Sequence, residues 1–112
     1  MEHRARADAE ERLLGNMILS TECVEQALSV LDSHDASIFE DSAHRLLFQT
    51  IVELHERDVP LDIVSVWDRL RELNLSDQVG GANHLIDLVQ AAGSSADVPR
   101  DAAELRKHSR KM

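Results

Sequence analysis

The sequence predicts an all-α fold, a compact bundle of about six helices. Between its breaks, apolar residues recur at the three- to four-residue spacing of helices rather than at the alternate positions of strands. Glycine is sparse, and Gly80-Gly81 and Gly93 mark clear breaks. The chain has 112 residues, of which 43% are hydrophobic and 29% charged, so it has the composition of one folded globular domain.

The first helix is expected from about residue 8 to residue 19, after a flexible N-terminus over residues 1–7. One apolar stripe defines this helix, made of Leu13, Leu14, Met17 and Ile18. Gly15 lies inside it, where glycine costs about 1 kcal/mol relative to alanine. Close approach of another helix is the favoured reason for a glycine at this position.

A second helix and a loop follow. Ser20 or Thr21 is a suitable N-cap for a helix that reaches Leu31. The next residues read as a loop because they lack helical periodicity. Ile38 and Phe39 are its large apolar residues, and we expect them to attach the loop to the core.

The third and fourth helices are separated by a proline. The third is expected from about Ser42 to Arg57, on the basis of Leu47, Ile51 and Leu54 and the ion pairs Asp41/Arg45 and Glu53/Arg57. Pro60 ends helical geometry, and Asp62 is a good N-cap for the fourth helix. Leu61 and Val66 would form a hydrophobic staple at its start. Its apolar stripe predicts that Trp67 lies in the core.

Two more helices complete the predicted bundle. The fifth, about Ala82 to Ala92, follows the double glycine. The sixth begins near Val98, with Pro99 in its first turn, where proline is tolerated. The folded domain is therefore expected over residues 8–110.

The charge distribution argues against direct, specific DNA binding. The chain has 12 Lys and Arg against 21 Asp and Glu, a net charge of −9, and residues 20–99 alone carry four basic against fifteen acidic side chains. Such an acidic body repels phosphates, whereas DNA-binding proteins neutralise them. The basic residues at the other end are more typical of a solvated helix; they are Arg106, Lys107, Arg110 and Lys111.

Neither a membrane span nor a signal peptide is expected, because no apolar run exceeds four residues. A cytoplasmic location follows as an expectation. The single cysteine, Cys23, has no partner for an internal disulfide, and one cysteine excludes CxxC metal frameworks. We expect its thiol to be packed or half-exposed.

No catalytic, metal or cofactor motif is present in the sequence. There is no GxxxxGK[ST] phosphate loop and no GxGxxG, so ATP hydrolysis by this chain alone is not expected. His44 and His55 would share a helix face, but about 16 Å apart along its axis, too far to share one metal. Glu10 and Glu11 look like helix-start charges rather than an acid/base pair. The chain is therefore predicted not to be an enzyme.

Five patches of the sequence occur in an order and spacing that resemble a known family. They are Ala9-Glu10 with Leu14-Gly15, Ile38-Phe39 with His44-Arg45 and Phe48, Val59-Pro60-Leu61-Asp62, Val79-Gly80-Gly81 with Leu85, and Ser95-Ala96-Asp97-Val98. Together they resemble the N-terminal domain of DnaB-type replicative DNA helicases over about residues 8–110. Each patch alone would be a weak signal.

Some positions depart from the pattern of that family. Glu40 replaces an aromatic residue, His84 stands where tyrosine is common, and Asp101 replaces a tyrosine at the start of the last helix. The ATPase domain has no counterpart in this chain, and the helical hairpin that follows the globular head is largely absent. Both a fragment and a standalone relative are compatible with these departures.

The resemblance implies a non-catalytic interaction and oligomerisation domain. In that family the domain builds the N-terminal collar of the hexameric helicase and docks the C-terminal domain of primase or a helicase loader. Asp8 and His84 match positions on the contact surface of the family. Self-association is the second implied property, and for this chain we expect a weak dimer or a monomer–dimer equilibrium.

Two other classes of function remain as alternatives. The first is a freestanding helical adaptor or inhibitor that uses the same fold to bind a helicase or primase. The second is a small helical enzyme, for which six histidines without ligand spacing are the only support.

Overall fold

A computed structural model describes residues 2–32 and 35–109 of the chain. These residues form no strand and six α-helices, which confirms the predicted all-α bundle. The helices are α1 (Glu2–Leu19), α2 (Thr21–Leu28), α3 (Ser42–Glu56), α4 (Ile63–Glu72), α5 (Gly81–Ala91) and α6 (Val98–Ser109). Short 3₁₀ turns at Ala36–Ile38 and Ser95–Asp97 precede α3 and α6.

The first helix begins at Glu2, earlier than its apolar periodicity predicted. Arg6 lies in this additional part, and its guanidinium donates a hydrogen bond of 2.9 Å to the carbonyl oxygen of Ile38. The extension is therefore held by polar contacts, which a search for apolar periodicity does not register. The flexibility expected for residues 1–7 stays a prediction, and Met1 and residue 110, the end of the predicted domain, lie outside the described residues.

The core is organised around α1, which packs against α5, α6, α2 and α3. Both phenylalanines are fully buried, and their ring centroids lie 5.1 Å apart. The largest fully buried side chains come from the loop before α3 and from every helix except α2 and α6; they are Phe39, Phe48, Leu13, Leu14, Met17, Ile18, Ile38, Leu47, Ile51, Leu70, Leu85 and Leu88. The predicted attachment of the loop by Ile38 and Phe39 is confirmed.

Gly15 is the point at which α1 crosses α5. A Cβ atom added there would overlap the carbonyl oxygen of Leu88 and would lie 2.9 Å from its carbonyl carbon and 3.1 Å from the Cβ of Ala92. Beside this crossing, the buried side chain of Asn16 donates a 2.7 Å hydrogen bond to the carbonyl oxygen of Ala92. The predicted reason for Gly15, close approach of another helix, is confirmed.

The helix ends use the predicted caps. The hydroxyl of Ser20 accepts from the backbone N–H of Cys23, and Asp62 and Ser65 form a reciprocal capping box at the start of α4. Helix α2 ends at Leu28, short of the predicted end at Leu31, although Leu31 is still buried.

The two residues of the double glycine have φ angles of +90° and +78°, a backbone region that glycine adopts readily. These angles form the turn that starts α5. A Cβ atom at Gly80 would lie 3.1 Å from the Cβ of His84, so this turn also sets the space available to the His84 side chain.

Two predictions about side chains on α3 and α4 are wrong. Trp67 is only partly buried, because α4 turns it toward a surface cleft beside α5 instead of into the centre of the core. Arg45 does not pair with Asp41 but donates to the carbonyl oxygens of Phe39 and Glu40. The carboxylate of Asp41 instead accepts from the backbone N–H of Ala43, as the N-cap of α3.

Candidate functional site

The structure places the two sequence-predicted site positions on two helices, α1 and α5, and a series of contacts links His84 to α1 at Glu10. Asp8 is exposed on α1, and His84 is half-buried on α5. The ring of His84 stacks on the ring of His44, with centroids 5.5 Å apart and planes 7° from parallel. The Nδ1 atom of His44 lies 2.7 Å from a carboxylate oxygen of Glu10, which is on α1 two residues after Asp8.

Glu10 is the centre of this arrangement and was missed by the sequence interpretation. It is 2% exposed and lies in the middle of α1, so the interpretation of Glu10 as a helix-start charge is wrong. One oxygen bonds His44, and the other accepts a 2.8 Å hydrogen bond from the backbone N–H of Glu40. Arg6 adds an ion pair at 3.7 Å. These partners supply the hydrogen bonds and charge that a buried carboxylate requires.

A sequence signal for the burial of Glu10 and His44 did exist. Glu10 lies one turn before Leu14 on the apolar stripe of α1, and His44 lies one turn before Phe48 on the stripe of α3. A polar residue on an apolar stripe is expected to be buried with a partner. The partner itself could not be identified, because the pairing depends on how α1 and α3 pack.

We refer to Glu10, His44 and His84 as the histidine cluster. The Nε2 atom of His44 is buried and has no hydrogen-bond partner in the described part of the chain. The ring of His44 therefore has one polar edge fixed by Glu10 and one face covered by His84. This arrangement fixes the orientation of side chains between α1, α3 and α5.

An acidic hollow of about 400 Å³ lies next to the histidine cluster. Its lining comes from α1, from the two residues before α3 and from the first turn of α3, and consists of Ala7, Glu10, Glu11, Glu40, Asp41 and His44. Arg6 lies 3.9 Å from the carboxylate of Glu40 and so balances part of its charge. In residues 2–32 and 35–109, no group of three or more His, Cys, Asp or Glu side chains is arranged to hold a metal ion.

The turn of α1 after Asp8 is attached to the last helix. Arg12 donates to both carboxylate oxygens of Asp101, at 2.9 and 3.2 Å. These hydrogen bonds raise the pKa of Arg12, and the charges of Asp101, Asp8 and Asp97 raise it further. Asp101, which departs from the family pattern, is thus a buried residue that holds α6 against α1.

Two further sequence expectations concern the thiol and the membrane. Cys23 is a free cysteine, buried in the first turn of α2, as a packed thiol would be. None of the described helices combines the length and the apolar character needed to cross a lipid bilayer.

These features define an all-helical domain with a buried polar cluster and an acidic surface, a class of protein distinguished by its helix packing. Comparison with known families shows which family within this class the chain belongs to. Residues 2–107 match the family of the DnaB-like helicase N terminal domain. The chain belongs to this family, and the resemblance found in the sequence is confirmed.

Curated relatives agree with the family match. The chain is 30% identical over 99 residues to the replicative DNA helicase DnaB of Pasteurella multocida, covering 88% of this chain and 21% of that protein. It is 33% identical over 91 residues to the replicative DNA helicase DnaB of a Nostoc species, covering 81% of this chain and 10% of that protein. The chain thus spans about a fifth or less of these relatives.

A solved structure has the same fold. The crystal structure of the N-terminal domain of DnaB helicase from Mycobacterium tuberculosis superposes with a TM-score of 0.85 at 27% identity. The match covers 92% of this chain and 69% of that one. The fold described above is therefore that of the N-terminal domain of a replicative DNA helicase.

Proposed function

We propose that this domain is a non-catalytic protein-interaction and oligomerisation module of a replicative DNA helicase. In this role it contributes to the N-terminal collar of a cytoplasmic hexamer and docks the C-terminal domain of primase or a helicase loader. Family membership supports the helicase context. The docking role rests on the residues around Asp8 and His84.

The placement of His84 is the observation that carries the docking proposal. His84 stacks on His44, and His44 bonds Glu10 in the α1 turn that follows Asp8. These contacts link α5, which carries His84, to α1, which carries Asp8. Because His84 is held at its ring face, it presents a defined shape, and preorganised side chains lose less entropy on binding.

Charge favours a basic partner surface at this site. The exposed Glu40 and Asp41 line the acidic hollow together with the half-buried Glu11, and Asp8 is exposed on the same helix as Glu11. Acidic groups of this kind accelerate encounter with a basic protein and disfavour acidic partners. Such attraction weakens as salt screens the charges.

Calorimetry with the C-terminal domain of the cognate primase tests the proposal. We expect saturable binding that weakens when the salt concentration is raised, and sedimentation of the chain alone should give a monomer–dimer equilibrium. Absence of binding at low salt would contradict primase docking and would favour a helicase loader or an adaptor role. A strict monomer at high concentration would contradict self-association by this chain.

Single substitutions localise the docking surface. Asp8→Lys and His84→Ala are each expected to weaken primase binding at least about tenfold, the loss typical of central contacts. Glu25→Lys, an exposed charge change on α2, and Asn83→Ala, on the exposed residue next to His84, should leave binding unchanged. Circular dichroism confirms that each variant is folded. Equal effects of test and control variants would contradict the assignment of Asp8 and His84.

A further inference from the structure

An apolar cleft of about 170 Å³ lies between α4 and α5. It is lined by Ile63, Val64, Trp67, Ala82, Leu85 and Ile86. Val64 is 64% exposed and Ile86 is 44% exposed, in a molecule whose large apolar side chains are otherwise mostly buried. Apolar side chains that remain exposed together mark surfaces for interaction with other molecules.

The cleft has the size of one large side chain and the form of a groove between two helices. An apolar cavity of about 150 Å³ admits a benzene ring, so this cleft accommodates one aromatic or branched aliphatic side chain. A groove between two helices is also the surface on which an amphipathic helix lays its apolar face. Shape alone would fit a second copy of this chain or a different protein.

The charges around the cleft distinguish between these occupants. Asp62 is the N-cap of α4, Asp68 follows Val64 by one helical turn, and Asp87 follows Ile86; all three are exposed. Arg71, one turn after Trp67, is an exposed cation on the same helix. Acidic groups therefore outnumber basic ones at the edges of the cleft.

The other arginine of α4 does not offset this acidity. Arg69 is held by Glu53 of α3 at 2.5 Å and by Glu72 at 3.1 Å, so its charge is already balanced. A two-fold related copy would place the same acidic edge opposite this one. Each copy would also carry a net charge of −9. Juxtaposed like charges oppose association, whereas lysines or arginines on a partner would complement the edge.

We propose that the α4–α5 cleft is a docking site for a cationic amphipathic helix of another protein, which inserts one large apolar side chain between Val64 and Ile86 and places basic residues beside Asp68 and Asp87. The lining of this cleft includes neither Asp8 nor His84, and the inference does not depend on the proposed docking role of those residues. It commits to a basic helical partner rather than to a second copy.

Trp67 allows a direct test, because it is the single tryptophan of the chain and lines the cleft. The probe is a synthetic helical peptide with a stripe of Leu and Phe and with Lys on both flanks. The control peptide has Glu in place of each Lys. We expect a saturable blue shift of Trp67 emission with the lysine peptide, weaker at high salt, and at least about tenfold weaker binding of the glutamate peptide.

Substitutions at exposed positions localise the binding. Val64→Glu is expected to weaken binding of the lysine peptide at least about tenfold, because it places a charge in the apolar cleft. Leu19→Glu is the matched control, since Leu19 is 48% exposed on α1, outside the cleft, and should not affect binding. The double variant Asp68→Lys with Asp87→Lys should reverse the preference between the two peptides.

Three results would overturn the proposal. One is no change in Trp67 emission with the lysine peptide while the protein is folded. Another is equal binding of the two peptides, which would remove the role of charge. The third is a blue shift of Trp67 emission that appears without peptide as the concentration of the chain is raised, together with a dimer in sedimentation that Val64→Glu dissociates. A second copy of the chain would then occupy the cleft.

Discussion

Arg12 on the first helix and Asp101 on the last are joined by two parallel hydrogen bonds from guanidinium to carboxylate. Asp101 is 2% exposed, whereas the Arg12 side chain is 34% exposed and reaches it from the surface. Bidentate pairs of this geometry are among the stronger hydrogen bonds in proteins. The pair connects α1 to α6 one turn beyond Asp8, and so fixes the end of the domain that carries the proposed docking surface.

Removal of the arginine should destabilise the fold measurably. Arg12→Ala leaves a buried carboxylate without its main partner, and we expect a loss of about 2 kcal/mol in the free energy of unfolding, measured by urea denaturation. Arg100→Ala is the matched control, because Arg100 is 73% exposed and pairs with Asp97 at the surface. Its loss should stay below about 1 kcal/mol.

Replacing both residues of the pair distinguishes the contribution of the pair to stability from the cost of leaving one buried charge unpaired. In Arg12→Met with Asp101→Leu, no buried charge remains, and we expect at least part of the stability lost in Arg12→Ala to return. A double variant less stable than Arg12→Ala would contradict this account.

Gly15→Ala should destabilise the domain although alanine has the higher helix propensity. The added methyl group would meet the backbone of Leu88, which cannot move aside as a flexible side chain can, so α1 and α5 must separate. We expect a loss of about 2 kcal/mol in thermal or chemical unfolding. Gln49→Ala, at an exposed position of α3, serves as the control and should change stability little. A neutral Gly15→Ala variant would show that the two helices are not in close contact.

The pair of Glu53 and Arg69 predicts a pH-dependent contribution to stability. Hydrogen bonding to Arg69 holds the pKa of Glu53 below its ordinary value of about 4.5. A carboxyl group with a lowered pKa in the folded state stabilises the fold above its ordinary pKa, and this contribution is lost as the pH falls through the lowered value. Glu53→Gln should therefore lower the urea midpoint at pH 7.

The same comparison at acid pH provides the check. Below the lowered pKa of Glu53 the wild-type carboxyl is protonated, and the midpoints of wild type and Glu53→Gln should converge. Glu56→Gln, an exposed change near the end of the same helix, should show no such convergence. A gap for Glu53→Gln that is constant across the pH range would contradict the role of ionisation.

Glu10 is expected to stabilise the fold through its acceptor atoms. Glu10→Ala removes the acceptors for His44 and for the backbone N–H of Glu40, both in a largely buried region, and should cost about 3 kcal/mol. Glu10→Gln keeps one acceptor oxygen and should cost less. Glu11→Ala, on the adjacent half-buried residue, should cost below about 1 kcal/mol in the same denaturation experiment.

The histidine ring signals in NMR spectra give a second measure of Glu10. Because His84 stacks on His44, loss of the Glu10 hydrogen bond should shift the ring protons of both histidines. Unchanged His84 signals in a folded Glu10→Ala variant would contradict a connection between α1 and the position of His84.

The helices could be predicted from the sequence because local physical rules determine them. Asp62 caps α4 as expected, and Pro99 lies in the first turn of α6. Periodicity, however, reports which residues face the core and not where a polar segment of helix begins. It therefore missed the part of α1 around Arg6, whose stabilising contact is with the carbonyl oxygen of Ile38.

The candidate site could be predicted only in part, for a physical reason. Asp8 and His84 were identified by their place in a pattern, and the role of each stays a prediction. Glu10 and Asp101 are buried polar residues whose partners come from distant parts of the chain. Such pairs depend on the packing of whole helices, which one sequence does not encode in local spacing. The cleft at Trp67 was missed because an apolar stripe looks the same whether it is fully or only partly covered.

The packing of α1 against both α5 and α6 also has a consequence for the order of folding. These contacts join the beginning of the chain to its end. Forming them closes a long loop and costs chain entropy, and most of the domain must be ordered before its contacts compensate for that cost. Contacts of such large sequence separation slow folding relative to a bundle of sequential hairpins. They also couple the two ends of the chain, because α6 covers part of α1. Loss of α6 would expose α1, and the domain would unfold cooperatively rather than gradually from one end.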